Sequence, residues 1–336
     1  MSALLVGDVG GTHARFGRVV DGELGATWTV PTAGSGGLSG ALAVSAQYGE
    51  FSAVSVAVAG PVEGRRARLT NTDWSADLDA LGGLDGPDGP DGLDGLLLND
   101  LEAAAWGVGA GGALSAQPLY GTPSGVLGDA AVMGVGTGLG EALWIGGRAV
   151  AGEGGHATFG PANAEQAALL GHLLAQLGRP VEWEDVLSGP GLGRIARWLG
   201  GPGAARWTPV LGEAADSLDD VALGRAAVEH QGTAIGAACA ALFWSLVAAE
   251  ARNLALRTLP GRGVFVVGGL APRLLPRFDA AAFAAAFVGE GPLAWRLVNV
   301  PVQLVLDDGL ALRGAAAAYA AARGDGWRHA PRPAMG

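Results

Sequence analysis

Two stretches of this chain share one design, and together they constrain its fold more than any other feature. In the first, Leu4-Leu-Val-Gly-Asp-Val-Gly-Gly-Thr-His-Ala-Arg-Phe-Gly17, an apolar run ends in Asp8 and a Gly10-Gly11 turn with Thr12 follows. A second run then passes through Arg15, Phe16, Val19 and Val20 to Asp21-Gly22, and Leu24 opens a third. In the second, residues 130–150, an apolar run meets a Gly-rich turn with Thr137, a strand continues through Ala142 to Ile145, and Gly146-Gly147 turns the chain again. Each copy predicts strand–turn–strand–turn–strand, and the repetition points to an internal duplication. Paired glycines bring backbone N–H groups to an anion with no Cβ in the way. Thr12 adds a hydroxyl donor, and Asp8 at a strand end can hold a metal ion through water. Two such hairpins suit one polyphosphate gripped from two sides. Taken alone, the first stretch is equally an ordinary hairpin closed by an Asp-Gly turn.

Composition narrows the chemistry. Lysine is absent, and arginine supplies all 21 basic residues. A Walker P-loop, a protein-kinase strand lysine and Schiff-base catalysis are therefore excluded. A net charge of −11 argues against a nucleic-acid partner. It suits a soluble protein whose anion sites are local backbone nests. The single cysteine, Cys239, excludes an internal disulfide and a cysteine-based zinc site, which fits a reducing cytoplasm. The first residues lack the basic region of a signal peptide. The uncharged run 234–249 is shorter than a membrane span of about 20 residues and reads as a buried helix. With 336 residues the chain has room for two domains.

Between the two copies, residues 52–61 read as a buried strand ending at Gly60-Pro61, and 66–69 as a short strand. Asp73 or Ser75 caps an expected short helix that runs to Leu81. Residues 82–95, a near-repeat of Asp, Gly and Pro, cannot bury a core and read as a surface loop. Leu96-Leu-Leu-Asn-Asp100 is a short buried strand ending in two polar residues, with a helix from Leu101. Open α/β sheets keep their active sites at such carboxyl ends. Asp100 taken alone also reads as the helix N-cap. Gly152-Glu-Gly-Gly-His156 is a loop. Helices are expected at 165–177, from Trp183, at 192–199, over most of 216–259, at 278–288 and at 309–322. Strands are expected at 263–269 and 298–306, and the tail is expected to be loose.

The ordered set LLVGDVGGTHARF, LTNTDW, LLLND, GVGTGLG, GEGGH, VLSGPG, GVFVVGGLAPR and DDGLALRGAA resembles the bacterial glucokinases, within the sugar kinase–actin–Hsp70 ATPase superfold. The resemblance implies an α/β chain with a two-domain actin-like ATPase (ribonuclease H-like) fold, mixed sheets flanked by helices and a central cleft. It implies a discontinuous small domain, 1–109 with 300–336, and a large domain, 110–299. By the same resemblance ATP and Mg2+ are the cofactors, Asp100 is the catalytic base, and Asn99, Asp100, Glu153, His156 and Glu184 hold the sugar. Asp8 with Gly10, Gly11 and Thr12 forms the first phosphate segment, Asp8 reaching the metal through water. Gly136, Thr137, Gly138 and Gly140 form the second, and Gly268 and Gly269 lie under the adenosine.

The implied function is transfer of the ATP γ-phosphoryl group to the glucose 6-hydroxyl by a cytoplasmic homodimer, with no nucleic-acid or membrane partner. Another hexose as acceptor is the first alternative, and a non-catalytic ATP-binding sensor is the second. The zinc-bearing kinases of the repressor branch do not fit a chain with one cysteine, and its repressors, which carry an N-terminal helix-turn-helix, do not fit a start seven residues before Asp8. Glu141, directly after the second turn, departs from the pattern, since it places a negative charge near ATP unless it points away.

Overall fold

The computed structural model describes residues 3–69, 73–81, 94–111, 114–123 and 128–324, without the side chains of 213 and 214. Thr70 to Thr72 of LTNTDW, most of the Asp/Gly/Pro segment (82–93) and the tail (325–336) lie outside the described residues. Two compact units emerge: 1–113, 148–151 and 307–336 form one, and 114–147 with 152–306 the other.

In the first unit, β1 (Leu4–Val9), β2 (His13–Val20) and β3 (Glu23–Pro31) form an antiparallel meander. β4 (Ala53–Val58) runs parallel to β1. β5 (Val62–Glu63), β6 (Arg66–Arg68) and β7 (Ser75–Asp77) make a separate small sheet. β8 (Asp94–Asn99) returns parallel to β4, giving the order β3-β2-β1-β4-β8. Alternation decides what each face meets. On β1, Leu5 and Val9 join a core with Trp28, Leu38 and Leu42. Val6, on the other face, joins Leu98, Ala103, Leu312 and Ala315. Helix Gly37–Ser45 supplies the first core, and helices Asp100–Gly109 and Leu310–Gly324 the second. With both faces covered, β4 is buried at every position, including Ser55, whose hydroxyl donates to the Ala315 carbonyl at 2.7 Å.

The expected helix after Asp73 is instead strand β7. Its Ala76 is buried, and its Asp77 faces Arg66 of β6 with Oδ2 2.9 Å from the guanidinium Nε. A cross-strand ion pair and an alternating burial pattern outweigh the local capping signal there.

The second unit repeats the order. β9 (Ala116–Tyr120), β10 (Ala130–Val135), β11 (Leu139–Ile145), β12 (Arg148–Gly152, whose first four residues group with the first unit), β13 (Gly263–Val267) and β14 (Val302–Val305) form the sheet β12-β11-β10-β13-β14-β9. β10 and β11 are an antiparallel hairpin, and β10, β13 and β14 run parallel, as β1, β4 and β8 do. β9 is an added edge strand. It carries Pro118, tolerated because an edge strand need not donate on its outer side. β14 pairs with β13 in this sheet, so the second unit runs through Leu306 and the expected return at residue 300 comes at Asp307.

Helix Ala234–Thr258 lies within the expected 216–259 helical stretch and runs past the uncharged 234–249 segment. Its hydropathy and length would suit a membrane span, but 72% of its apolar window is buried within the protein. It is the central core helix, packed on β10 and β13 with Trp183, Trp207, Phe159 and Phe243 in the surrounding cluster.

Candidate active site

The first unit assembles its candidate residues at one edge of one sheet. Val9, Val58 and Asn99 are in register at the carboxyl ends of three adjacent parallel strands. Neighbouring strands are spaced by about 4.8 Å, so the turn after β1 and the residues after β8 lie roughly 10 Å apart across β4. Gly10, Gly11 and Thr12 form that turn. Gly10 donates to the His13 carbonyl at 3.0 Å, and Thr32 Oγ1 donates to the Gly10 carbonyl at 2.9 Å. A Cβ on Gly11 would meet nothing within 4 Å. The fold therefore does not demand glycine there, whereas an approaching ligand would.

Asp8 sits one residue before the end of β1, opposite Arg15 of β2. Burial pushes its carboxyl above the ordinary carboxylate range, and the Arg15 charge partly offsets this. Arg15 is itself anchored, its Nη1 donating to the Asp308 carbonyl at 2.6 Å.

The N-cap of helix Asp100–Gly109 is Asn99 rather than Asp100. Asn99 Oδ1 accepts from Leu101 N at 2.9 Å and from Glu102 N at 3.4 Å. Asp100 is the first helical residue, and its Oδ1 also accepts from Leu101 N at 2.9 Å. It is half-exposed at the helix N-terminus, where the aligned peptide dipoles favour a negative charge.

The second unit brings together residues from four places in the sequence. The turn Gly136-Thr137-Gly138 is closed by Gly136 N donating to the Gly138 carbonyl at 2.9 Å. Glu184 reaches it from the single helical turn Trp183–Asp185, and Glu184 Oε2 accepts from Leu139 N at 2.9 Å. A Cβ on Gly138 would overlap that carboxylate. Glu184 also raises the pKa of His156, as does Glu153, so these three predicted sugar ligands share one electrostatic neighbourhood. The main cause of that rise is Glu182, whose Oε2 lies 2.9 Å from His156 Nδ1. The sequence did not single out Glu182. Its turn is locked from below: Asp185 accepts from Arg179 at 2.8 Å on each oxygen and lies 3.4 Å from Arg194.

Gly268 and Gly269 follow β13, whose Val267 pairs with Gly134 of β10. Gly268 has φ +95 and a Cβ there would press on Val135. The fold alone requires that glycine. Gly269 has open space around it, so it is the one a flat ligand would explain.

The family model described as Glucokinase matches residues 5–322. The chain belongs to the glucokinase family. It is 31% identical over 336 aligned residues to the glucokinase of Chromobacterium violaceum, with 93% of this chain and 88% of that protein covered. The crystal structure of a glucokinase from an Antarctic psychrotroph superposes with a TM-score of 0.77 at 26% identity, covering 95% of this chain and 99% of the other. A ROK family glucokinase from Streptomyces griseus, in complex with glucose and AMPPNP, gives 0.64 at 25% identity, covering 94% and 98%. The expected fold class and activity hold: the chain is an ATP-dependent hexose kinase with the actin-like ATPase fold, and it phosphorylates glucose.

In this kinase Glu141 does not point at the second turn's open side. Its side chain is only 6% exposed and lies 3.7 Å from Arg257 of helix Ala234–Thr258. Among the described residues no group of three His, Cys, Asp or Glu side chains is arranged to hold a metal ion.

Proposed function

We propose that Asp100 accepts the proton of the glucose 6-hydroxyl as that oxygen attacks the γ-phosphorus of ATP. Asn99, Glu153, His156 and Glu184 hold the sugar, Gly10 to Thr12 and Gly136 to Gly140 bind the phosphates, and Gly268-Gly269 lies under the adenosine. The observation that carries this assignment is the shared register of Val9, Val58 and Asn99. It sets a carboxylate and an open Gly-rich turn on one sheet edge. Sugar hydroxyls need both donors and acceptors, which an amide, two carboxylates and an imidazole supply. Glucose and an ATP analogue bound together in the Streptomyces griseus relative agree with this division of labour.

Magnesium fits this donor set. The ion keeps several waters and takes one or two carboxylates beside substrate phosphates. Asp8 offers one such carboxyl, buried and short of positive partners beyond Arg15. When bound, the ion supplies neutralisation of charge on the phosphate oxygens. In the absence of lysine the chain's own share falls to backbone N–H groups of the two turns and the Thr12 and Thr137 hydroxyls. Asp100 holds the abstracted proton, and Leu101 N keeps its carboxyl oriented.

We further propose, from the family resemblance, that the kinase is a cytoplasmic homodimer acting in glycolysis. Sedimentation at the mass of one 33.4 kDa chain would refute the dimer. Selectivity is tested by a coupled assay across glucose, mannose, fructose and N-acetylglucosamine with ATP, ADP or polyphosphate as donor. Glucose with ATP is expected to give the highest kcat/KM, and activity confined to mannose or fructose would overturn the sugar assignment. Glu153→Ala is expected to raise the glucose KM by about tenfold or more, the loss of one charge-assisted hydrogen bond. An unchanged KM would remove this loop from the sugar site.

A further inference from the structure

Glu141 and Glu250 form a buried carboxyl pair that the mechanism above does not use. Glu141 comes from β11 and Glu250 from the middle of helix Ala234–Thr258, with side chains 6% and 0% exposed. Glu250 Oε2 accepts from Asn253 Nδ2 at 2.7 Å. Arg257 Nη1 lies 3.4 Å from Glu250 Oε1 and 3.7 Å from Glu141 Oε2. The Oε1 atom of each carboxyl has no conventional donor. The two carboxyls share the Arg257 guanidinium, and the Glu141 charge disfavours ionisation of Glu250. Two ionised carboxylates beside one half-exposed guanidinium would leave an uncompensated buried charge. One proton on the pair removes that uncompensated charge.

The pair also touches the sugar loop. A Cβ on Gly154 would overlap Glu141 Oε2, so the carboxyl lies directly against the backbone between Glu153 and His156. We propose that the proton-sharing Glu141–Glu250 pair positions the Glu153–His156 loop for glucose, tying it to the long core helix. This rests on the reading of that loop as sugar-binding. Glu141 and Glu250 are positioning residues, since neither reaches the reacting atoms.

Burial, with the Glu141 charge adding to it against Asn253 and Arg257, pushes Glu250 up to about 8. At neutral pH it therefore carries the proton. When that proton leaves, two like charges repel across the contact and Glu141 is driven against Gly154. The charged group that acts on the pair is Arg257, from the same helix as Glu250. His156 titrates separately, above its ordinary 6.5.

The test compares the pH dependence of the glucose KM in the full-length wild type and in Glu250→Gln, whose amide donates at every pH. One unit above a midpoint about a tenth of the molecules keep the proton, so the wild-type glucose KM is expected to rise about tenfold by roughly pH 9. The ATP KM stays nearly flat. In Glu250→Gln the rise disappears, while the limb due to His156 remains. Thermal unfolding gives an independent reading. A carboxyl with a raised folded pKa contributes stability that is complete below the unfolded value of 4.5 and is lost as pH rises through about 8. Glu250→Gln is expected to remove that slope. Should this variant fail to fold, Glu141→Gln removes the like charge and is expected to abolish the same limb. A wild-type alkaline rise that persists in both variants overturns the proposal. So does loss of the thermal slope with an unchanged glucose KM profile, which would leave the pair a purely structural feature. Failure of the loop itself to bind sugar shows separately in Glu153→Ala.

Discussion

Replacing Asp100 by Ala is expected to lower kcat by a factor on the order of 10²–10⁴, the range that a positioned general base contributes. The glucose KM should change little, because the sugar hydroxyls other than the 6-hydroxyl are held by Asn99, Glu153, His156 and Glu184 in this assignment. The fold should survive. Asn99 remains the N-cap of helix Asp100–Gly109 and still accepts from Leu101 N and Glu102 N, so the variant keeps its cap while losing the Asp100 contact to Leu101 N and a charge–dipole contribution of about 0.3–1 kcal/mol. Asp100→Asn sharpens the experiment. An amide oxygen can still accept from Leu101 N, whose distance to Oδ1 is 2.9 Å, but it cannot take the proton. Equal losses in both variants assign the effect to proton transfer. Turnover within about threefold of wild type in Asp100→Asn, against the loss expected of a missing base, would remove Asp100 from that role.

Trp183→Ala is the second large effect. The ring is 1% exposed and sits edge-on to Phe159 with centroids 4.8 Å apart. Its backbone N–H donates to the Ala157 carbonyl at 3.0 Å. Truncating a buried Trp costs about 3–5 kcal/mol, read as a lowered Tm. Trp183 also begins the turn that carries Glu184 to Leu139 N and follows Glu182, the partner of His156. The glucose KM is therefore expected to rise at temperatures where the variant remains folded. Trp207→Ala is the control. Trp207 is equally buried in the same core, and its Nε1 donates to the Ala196 carbonyl at 2.9 Å, away from the sugar residues. It should lose comparable stability without the KM change. Equal KM values in the two variants would mean that the Trp183 turn does not position the site.

Much of the candidate site's local geometry was legible because its signals are short. The turns at Gly10–Thr12 and Gly136–Gly138, and the Asn99-Asp100 step from strand to helix, each span a few residues whose conformational preferences act locally. What failed was local inference applied to long-range partners. Asp73 and Ser75 look like helix caps, yet Ser75–Asp77 pairs with Arg66–Arg68. β9 was not anticipated, since five residues containing Pro118 carry little strand signal without the neighbour at Val302–Val305. Glu182 has no motif at all, and its importance arises only because His156, 26 residues earlier, lies 2.9 Å away.

The sequence by itself determined the duplicated hairpin, the exclusion of lysine-based phosphate binding and the family. Backbone propensity and residue chemistry are written at each position, and their ordered co-occurrence is specific. The tertiary structure alone decided that Gly268 is required by its own fold while Gly11 and Gly269 are open. It also decided that Asn99 caps the helix in place of Asp100, and that Glu141 turns inward to Glu250 and Arg257. Each depends on which atoms arrive from distant parts of the chain, and on the cost of burying a charge or a polar group without a partner.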